Sequence, residues 1–303
     1  MNKRIVITGA GGMLGRLCAD WFTGLQGCDV FAFSRKEMDL SKDSSIRKAL
    51  NSIGDFDVIL NAAAMTDVDG CEDDSKLADQ INGYAVGLMG SIAADQGAQV
   101  IHISSDYVFD GEKKEAYVER DEPNPISAYG ESKHIGEEEL FSSFPDHLAV
   151  RVSWLYGPGK AGFPEWVIRQ AMAKEEVNVV SDKWGTTTSA SEAVGYLESF
   201  VLSEEPYGGV LHMANTGTCS WNEWGQHCLD CAAEAGIPLK TKQLGEIKMD
   251  DLAKLANWKA KRPRRTSLAT DQLTKDAGIT PAPWQEAVAK FIEADLAPKI
   301  LAE

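Results

Sequence analysis

The sequence predicts an α/β fold in which a doubly wound parallel sheet is covered by helices on both faces. Short β-rich runs alternate with longer amphipathic segments over residues 1–150, and the runs are apolar at nearly every position. A glycine-rich turn joins the first run to the first helical segment. Strands buried on both faces need apolar side chains on both sides, and parallel strands need helical crossovers. These observations together favour a Rossmann-like sheet.

Five strands and four helices are predicted in this first part of the chain. The strands comprise residues 4–8, 30–33, 58–60, 100–104 and 148–152, and the helices comprise residues 13–23, 44–51, 74–96 and 129–142. Beyond them the alternation loosens around a loop rich in glycine and proline at 157–162. There the pattern predicts helices at 164–174, 189–202, 221–235, 267–277 and 283–297, an apolar run at 177–180 and a strand at 210–213.

Two interleaved units follow from this distribution. We expect residues 1–152 to form a dinucleotide-binding domain that also receives about 186–213, because the strand near 210 suits the sheet. Residues 153–185 and 214–303 would then form a smaller substrate-binding lobe.

The charge of the chain argues against two classes of partner. Its 303 residues include 46 acidic and 30 basic side chains, which gives a formal net charge of −16. Such a protein is repelled by a phosphate backbone and by an anionic membrane. The apolar stretch after the N-terminus is too short for a signal segment or a membrane span, so we expect a cytoplasmic protein that binds neither nucleic acid nor membrane.

The six cysteines are scattered along the chain, which favours reduced thiols over a disulfide scaffold. Cys228 and Cys231 have the spacing of a metal or redox pair. Neither a second pair nor a nearby histidine cluster completes four ligands, so we predict no metal site.

The turn after the first strand has the glycine spacing of a dinucleotide-binding loop. Gly9, Gly12 and Gly15 recur every three residues, and a helix opens at Met13 and Leu14. One glycine allows the tight turn, one lets the backbone approach a pyrophosphate, and one lets the helix pack on the strand, while the helix N-terminus holds the anion. The strand before it and the helix after it provide the context that the motif requires.

The end of the second strand predicts which dinucleotide binds. NAD-binding proteins place an acidic residue there, whereas this chain has Ser34 and Arg35. A guanidinium suits a 2′-phosphate, so we predict NADPH as the cofactor, with Ser34 as a second phosphate contact and NADH as the alternative cofactor. Simple solvation of Arg35 and Lys36 is the alternative interpretation.

A tyrosine and a lysine at helical spacing indicate acid–base chemistry. Tyr129 and Lys133 lie four residues apart at the start of a predicted helix, so both face one ligand. A nearby ammonium favours the phenolate and is expected to lower the tyrosine pKa. Ser105, at the carboxyl end of the fourth strand, would hold the substrate oxygen.

These motifs occur together in one family. The chain resembles the dTDP-4-dehydrorhamnose reductases, which are extended short-chain dehydrogenases/reductases. The resemblance covers nearly the whole chain and rests on TGAGGMLG (8–15), MDL (38–40), NAAAMTDVDGCE (61–72), SSDYVFDG (104–111), PxxxYGxSK (125–133), RVSWLYGPG (151–159), VVSDKWGTTT (179–188), NTGTCSW (215–221) and RPRRTSL (262–268).

The resemblance implies an activity and a set of site residues. The reaction is hydride transfer from NADPH to the 4-keto group of a nucleotide-linked 6-deoxy sugar, with dTDP-4-dehydro-L-rhamnose as the first candidate. Ser105, Tyr129 and Lys133 match the catalytic triad. The implied cofactor contacts are Asp39, Leu40, Ala62, Ala63 and Ala64, and the implied substrate contacts are Asp106, Tyr107 and Trp154. A homodimer is a further expectation.

Four positions depart from the usual family pattern. Met65 stands where the family has Tyr, Ser105 where it has Thr, Lys183 where it has Gln, and Thr187 where it has Pro. Serine keeps the hydroxyl, so the catalytic set is intact, but the other changes leave the sugar open. The alternatives are a reductase or epimerase of another nucleotide sugar, or a non-catalytic regulatory subunit resembling the β subunit of methionine adenosyltransferase. The intact triad argues against the regulatory subunit.

The remaining charged and histidine motifs receive simpler interpretations. Five basic residues crowd into 259–265, and Arg262 and Arg265 are predicted to bind the substrate diphosphate because Arg forks match phosphate oxygens. The acidic stretch at 67–74 is predicted to be a solvated loop and helix start. His102, within the fourth strand, is predicted to have a packing or surface role and no chemical one.

Overall fold

The computed structural model describes residues 2–303. The strands are β1 (Lys3–Thr8), β2 (Cys28–Phe33), β3 (Val58–Asn61), β4 (Gln99–Ser105), β5 (Leu148–Val152), β6 (Leu155–Tyr156), β7 (Asn178–Val180), β8 (Trp184–Gly185), β9 (Thr188–Ser189), β10 (Gly209–His212), β11 (Cys219–Ser220), β12 (Gly245–Ile247) and β13 (Arg265–Thr266).

The helices are α1 (Met13–Gly24), α2 (Asp43–Ile53), α3 (Val68–Asp73), α4 (Ser75–Ala78), α5 (Ala85–Ala94), α6 (Ala128–Ser143), α7 (Phe163–Ala173), α8 (Ala190–Val201), α9 (Trp221–Glu234), α10 (Met249–Leu255), α11 (Asp271–Ala277), α12 (Trp284–Phe291) and α13 (Ala297–Leu301). The π-helical segments Asp79–Tyr84 and Ile292–Leu296 join α4 to α5 and α12 to α13, and a 3-10 turn covers Asp106–Val108.

The central sheet has six strands in the order β10-β5-β4-β3-β1-β2, and every neighbouring pair is parallel. The predicted parallel α/β sheet is confirmed. The chain builds outwards from β1 to β2 and then returns to the other side of β1 with β3. This reversal places a crevice at the carboxyl ends of β1 and β3, which is where ligands bind in sheets of this kind.

Both faces of the sheet are covered, as the apolar strands required. On one face α1 and α8 pack against Ile5, Ile7 and Leu148, and on the other α2, α5 and α6 pack against Val6 and Ile59. Successive residues of β1 therefore enter different cores. This explains why the strand shows no polar alternation.

The chain after β5 contributes to both the sheet and a second hydrophobic core. α8 packs on α1, and β10 pairs with β5 at the sheet edge. α7, α9 and α12 instead surround an aromatic core, in which the Trp224 ring lies 4.6 Å from Phe163 and 5.7 Å from Tyr156 between ring centroids. The aromatic residues of the second half are therefore used largely for packing.

The predicted helix at 267–277 is wrong in its first turn. Tyr117 donates its amide hydrogen to the Ser267 carbonyl at 2.8 Å and accepts one from Ala269 at 2.8 Å, so this segment is extended. The helix begins only at Asp271. A long-range backbone pairing has overridden the local pattern. The helix predicted at 74–96 is present as α4, the π-helical segment and α5.

A buried ion pair ties α6 to the sheet. Arg151 on β5 donates to both carboxylate oxygens of Glu137 on α6, at 2.9 and 2.6 Å, and the Ser104 hydroxyl donates to the same carboxylate at 2.5 Å. The Arg151 and Glu137 side chains are only 2% and 4% exposed. A buried pair of this kind is costly to break because one charge stays behind without a partner.

We expect Glu137→Ala to lower the free energy of unfolding by about 3–5 kcal/mol, because it leaves the Arg151 guanidinium buried and unpaired. Urea denaturation followed by circular dichroism measures the change. Glu138→Ala is the matched control, since Glu138 is the next residue of the same helix and its side chain is 65% exposed. We expect its effect to stay within about 0.5 kcal/mol. Similar losses of unfolding free energy in the two variants would contradict the stabilising role assigned to the buried pair of Arg151 and Glu137.

Candidate active site

The glycine turn after β1 forms a cradle whose close contacts leave no room for side chains. Gly9 has a φ of +69°, and a Cβ on it would lie 2.7 Å from the Ala63 nitrogen. A Cβ on Gly15 would overlap the carbonyl of Gly9. The Gly12 amide donates to the Gly9 carbonyl at 2.8 Å, which closes the turn. The spacing of three glycines thus has the physical basis that the sequence suggested.

Helix α1 begins directly after this turn with its amides free for a ligand. Gly12 is the N-cap and provides no side-chain hydrogen bond, and no acidic residue lies in the first turn. The first amides of a helix have no partner within the helix, and its dipole favours an anion there. The cradle therefore fits the pyrophosphate of a dinucleotide.

A cavity of about 690 Å³ extends from this cradle over the edge formed by β1, β2 and β3. It is lined by nine of the predicted cofactor residues: Gly9, Gly12, Ser34, Arg35, Asp39, Leu40, Ala62, Ala63 and Ala64. The sequence prediction missed Gly11, Lys36, Met38 and Met65, which line the same cavity. Gly15 lies outside its lining and acts through packing on Gly9.

Arg35 is positioned to face a ligand in this cavity. The Ser34 amide donates to the Glu37 carboxylate at 2.8 Å, and this turn leaves the exposed Arg35 without a carboxylate partner among residues 2–303. The Asp39 carboxylate is used within its own turn, where it accepts from the Ser41 hydroxyl at 2.7 Å and pairs with Lys42 at 3.1 Å. These contacts lower the pKa of Asp39 to about 2.

A second cavity, of about 560 Å³, adjoins the cradle and brings together Ser105, Tyr129 and Lys133. Gly12, Met13 and Leu14 from the start of α1 line the same cavity, as do the predicted substrate residues Asp106, Tyr107 and Trp154. The loop at 157–162 contributes Lys160, Ala161 and Gly162, which the sequence prediction did not include. The glycine and proline content of that loop was the signal in the sequence that could have identified these three residues.

The three predicted catalytic groups are held by different elements. Ser105 ends β4, whereas Tyr129 and Lys133 lie on the first turns of α6, whose N-cap is Ser127. The Glu72 carboxylate accepts the amide hydrogen of Ala128 at 2.8 Å and fixes the same helix start. The sheet and the helix terminus together determine the spacing of these groups.

The expected lowering of the Tyr129 pKa by Lys133 is not what the structure shows. Burial raises the pKa of Tyr129 to about 12, although a hydrogen bond from Ser105 opposes the rise. Lys133 directs its ammonium elsewhere, 3.0 Å from His102 Nε2 and 2.7 Å from the Ile103 carbonyl. Burial lowers the pKa of Lys133 itself to about 7. His102 is fully buried, as a packing residue would be, and its ring also contacts this ammonium.

Asp106 joins three parts of the chain beneath the second cavity. Its buried carboxylate accepts hydrogen bonds from Ser105 at 3.1 Å, Ser153 at 2.9 Å and Thr266 at 2.5 Å. Burial raises the pKa of Asp106. The hydroxyl contacts hold the end of β4 against β5 and β13, so the side chain has a clear organising role in addition to lining the cavity.

Trp154 offers an unused hydrogen-bond donor at the cavity. Its ring stacks on Trp224 with centroids 5.6 Å apart, and a Cβ on Gly185 would lie 2.7 Å from the ring. Among residues 2–303 its indole nitrogen has no hydrogen-bond partner. A buried polar group is normally paired, so an unpaired donor on a cavity wall indicates a ligand contact.

The predicted phosphate ligands Arg262 and Arg265 do not line the second cavity. The Arg262 guanidinium donates to both carboxylate oxygens of Asp69, at 3.2 and 3.0 Å, and stacks 3.9 Å from the centre of the Trp258 ring. Arg262 lines a neighbouring cavity of about 370 Å³ instead. Arg265 is exposed and lies 5.6 Å from the Trp184 ring centre.

The acidic stretch at 67–74 is less solvated than predicted. Asp69 also accepts the Lys259 and Ala260 amides, at 3.0 and 2.9 Å, and Asp73 accepts the Lys259 ammonium at 2.5 Å. Helix α3 is thus fastened to the segment before β13. The expectation holds for Asp67 and Asp74, whose side chains cap the starts of α3 and α4.

Between residues 2 and 303, no three His, Cys, Asp or Glu side chains are grouped as metal ligands would be. Over the same residues, no helix combines the length and the apolar character needed to cross a membrane.

A glycine cradle at the sheet crevice, with Ser, Tyr and Lys in the adjoining cavity, defines a short-chain dehydrogenase/reductase. The chain belongs to the family of the RmlD substrate binding domain, which matches residues 3–296.

Similar proteins support this assignment. The chain is 33% identical over 296 residues to the spore coat polysaccharide biosynthesis protein SpsK of Bacillus subtilis, across 96% of this chain and 97% of the relative. It is 33% identical over 298 residues to dTDP-4-dehydrorhamnose reductase of Mycolicibacterium smegmatis, across 97% of this chain and 86% of the relative. The crystal structure of dTDP-4-dehydrorhamnose reductase from Bacillus anthracis in complex with NADP matches with a TM-score of 0.87 at 28% identity, across 96% of this chain and 99% of that one.

The close packing of the cradle predicts a loss of cofactor affinity in Gly15→Ala. The added methyl group overlaps the Gly9 carbonyl, so α1 must move away from the turn. We expect NADPH affinity, measured by fluorescence titration, to fall at least about tenfold. Gly24→Ala is the control, because a Cβ there meets nothing within 4 Å at the other end of α1. An unchanged affinity in Gly15→Ala would show that the cradle tolerates a side chain.

The exposed guanidinium at the first cavity predicts a preference for NADPH that depends on Arg35. Removing a charged hydrogen bond to the 2′-phosphate in Arg35→Ala should weaken NADPH binding at least about tenfold and leave NADH binding unchanged. Titrations with both dinucleotides measure this. Arg47 is an exposed residue of α2 outside the cavity, so Arg47→Ala should alter the affinity for neither dinucleotide. If Lys36→Ala removes the preference and Arg35→Ala does not, the phosphate ligand is Lys36.

Proposed function

We propose that this protein reduces the 4-keto group of a nucleotide-linked 6-deoxy sugar with NADPH, converting dTDP-4-dehydro-L-rhamnose to dTDP-L-rhamnose. The observation that carries the proposal is that Ser105, Tyr129 and Lys133 share one cavity with the N-terminus of α1. The names of the relatives support the substrate, and the NADP complex of the Bacillus anthracis enzyme supports the cofactor. NADH is the alternative cofactor.

Bound NADPH would supply a hydride to C4 of the sugar, which leaves a negative charge on the former keto oxygen. Tyr129 is suited to protonate that oxygen. A phenol with a pKa near 12 keeps its proton at neutral pH and still gives it to the much more basic alkoxide. Tyr129 therefore acts as the acid in this proposal.

Ser105 and Lys133 assist Tyr129 in different ways. The Ser105 hydroxyl lies within hydrogen-bond distance of Asp106 and can turn its hydrogen towards a carbonyl oxygen in the cavity. A donor aimed at developing charge stabilises the transition state. Lys133 lines the same cavity, and its proposed role is to orient the ribose of the cofactor. Its ammonium contacts His102 and the Ile103 carbonyl and not the phenol, so it would stabilise the phenolate only after turning towards Tyr129.

The sugar nucleotide would lie between the second cavity and the lobe formed by 153–185 and 214–303. Tyr107 and the free indole donor of Trp154 are proposed sugar contacts, and Asp106 is proposed to hold Ser105 in place. For the diphosphate we propose Arg262 and Arg265, together with Lys160, whose side chain lines the cavity. Arg262 would then bind phosphate while still paired with Asp69.

We also propose that residues 1–152 with 186–213 act as the cofactor domain, and that the protein works in the cytoplasm as a homodimer. The pairing of β10 with β5 supports the inclusion of 186–213. Light scattering on the purified protein measures the number of subunits.

The assigned role of Tyr129 predicts the outcome of Tyr129→Phe. Loss of the phenolic proton should lower the rate of NADPH oxidation with dTDP-4-dehydro-L-rhamnose by about 10² to 10⁴-fold, because general acid catalysis contributes that much. The absorbance of NADPH measures the rate, and fluorescence titration should show nearly unchanged cofactor binding.

Tyr84→Phe is the control for this variant, since Tyr84 is 51% exposed and lies outside both cavities. Turnover of no 4-keto sugar nucleotide by the wild-type protein, despite tight NADPH binding, would overturn the enzyme assignment in favour of a regulatory subunit. Turnover of another nucleotide sugar alone would redirect the substrate assignment.

A further inference from the structure

A row of buried polar side chains crosses the sheet beneath the proposed site. Thr8, Asn61 and His102 occupy directly paired positions on β1, β3 and β4. The Thr8 hydroxyl contacts Asn61 Oδ1 at 2.5 Å, and Asn61 Nδ2 lies 2.9 Å from His102 Nδ1. All three are at most 1% exposed. Polar groups this deep in a sheet are costly unless they are fully paired, so the row calls for an explanation.

The row ends on the lysine of the proposed catalytic set. Lys133 Nζ lies 3.0 Å from His102 Nε2, and its other hydrogen bond in this structure goes to the Ile103 carbonyl. A Cβ on Gly136 would approach His102 Nε2 to 3.4 Å, so α6 lies close against the ring. His102 is therefore held between the lysine on one side and Asn61 on the other.

The number of protons on the ring makes these two contacts depend on each other. A neutral imidazole carries one N–H and one lone pair. When Lys133 is an ammonium, Nε2 must accept, so the ring proton is on Nδ1 and the Asn61 amide must present its oxygen. When Lys133 is a neutral amine, Nε2 can donate to it and Nδ1 can accept from Asn61 Nδ2. The charge on Lys133 thus selects the ring tautomer and the amide orientation.

The amide of Asn61 also reaches the loop that lines the cofactor cavity. The Ala63 amide lies 3.3 Å from both Asn61 Oδ1 and Thr8 Oγ1. Ala62, Ala63 and Ala64 form one wall of the first cavity. A change of the Asn61 amide therefore alters which atoms hold this wall.

We propose that His102 is a positioning residue that orients Lys133 and couples its protonation, through Asn61, to the loop beside the cofactor. The role of Lys133 in turnover rests on the proposed function, whereas the coupling itself does not. Lys133 exchanges its proton with the solvent of the second cavity, whereas His102 carries one ring proton in both states, on Nδ1 or on Nε2. As Lys133 gains or loses its proton, the imidazole ring and the Asn61 amide exchange the roles of hydrogen-bond donor and acceptor between them.

Several other ionisable groups surround this pair. Tyr129 and Glu137 lie on α6 with Lys133, Asp106 follows β4, and Arg151 lies on β5. Glu137 raises the pKa of Lys133, but its own charge is matched by Arg151 at 2.6 Å. Asp106 is held by three hydroxyl groups. The ring of His102 is the titratable group in direct contact with the ammonium, and burial and that ammonium keep its pKa well below the usual range.

The first test observes the ring itself in the protein without ligands. Nitrogen NMR of histidine-labelled protein distinguishes the two tautomers, and the signal lost in His102→Phe identifies His102. We expect the Nδ1–H form at low pH and the Nε2–H form as pH rises through the pKa of Lys133, near 7. A tautomer that does not change with pH would overturn the coupling.

The second test uses variants with opposite expected effects. His102→Phe removes the acceptor for the ammonium, so the alkaline limit of turnover, and of NADPH binding, should move at least about one pH unit lower. Asn61→Asp accepts the Nδ1 proton and should move both limits higher. His102→Gln retains an acceptor, so its alkaline pH limits of turnover and of NADPH binding should lie closer to those of the wild type. Limits that stay unchanged in all three variants would overturn the proposal.

His212→Phe is the matched control for loss of a buried histidine ring. His212 is fully buried, and both of its ring nitrogens lack partners among residues 2–303. If it shifts the pH limits as His102→Phe does, the effect is general packing and the proposal fails. Binding of NADPH is measured by fluorescence without any sugar. A tautomer change and shifted binding limits without sugar reduction would refute the proposed function and leave the coupling intact.

Discussion

The register of β1, β3 and β4 at their carboxyl ends is the constraint on which the rest of the site depends. It places Thr8, Asn61 and His102 side by side, so the segments that follow the three strands emerge together. The glycine turn can then press against Ala62 and Ala63, while Ser105 at the end of β4 faces the same crevice. Because parallel strands share one direction, a single register brings the glycine turn and the proposed acid–base groups to one edge.

Burial acts in opposite chemical directions on the two ionisable groups of α6. It raises the pKa of the Tyr129 phenol and lowers that of the Lys133 ammonium, since both charged forms lose water. The result is a tyrosine that holds its proton until a stronger base appears and a lysine whose charge is readily changed. Pairs of groups whose pKa values are displaced by their surroundings are characteristic of acid–base sites. The hydrogen bond from Lys133 to His102 makes the lysine sensitive to the sheet below it.

An acidic protein with a net charge of −16 has two ways to hold anionic ligands. Backbone amides at the start of α1 need no positive side chain, and Arg35 stands at the first cavity without a carboxylate partner in the described chain. The basic run at 259–265 has a different arrangement, because Lys259 and Arg262 pair with Asp73 and Asp69, and Arg264 pairs with Asp182 and Asp250. Much of that positive charge is used to fasten the segment to its neighbours.

The sequence by itself determined the parallel sheet and the glycine cradle and indicated the proposed catalytic set, because each leaves a local signal. Apolar runs, glycines every three residues, and a tyrosine four residues before a lysine are all visible within a short window. Only the tertiary structure decided the partners of buried and charged groups. In the sequence, His102 is only one residue of an apolar strand, and its contact with Lys133 follows from the packing of α6 on the sheet. Arg262 is likewise one of several basic residues, and its pairing with Asp69 follows from the position of α3. Such pairings join residues 31 and 193 positions apart, and no local pattern in the chain records which partner the fold will supply.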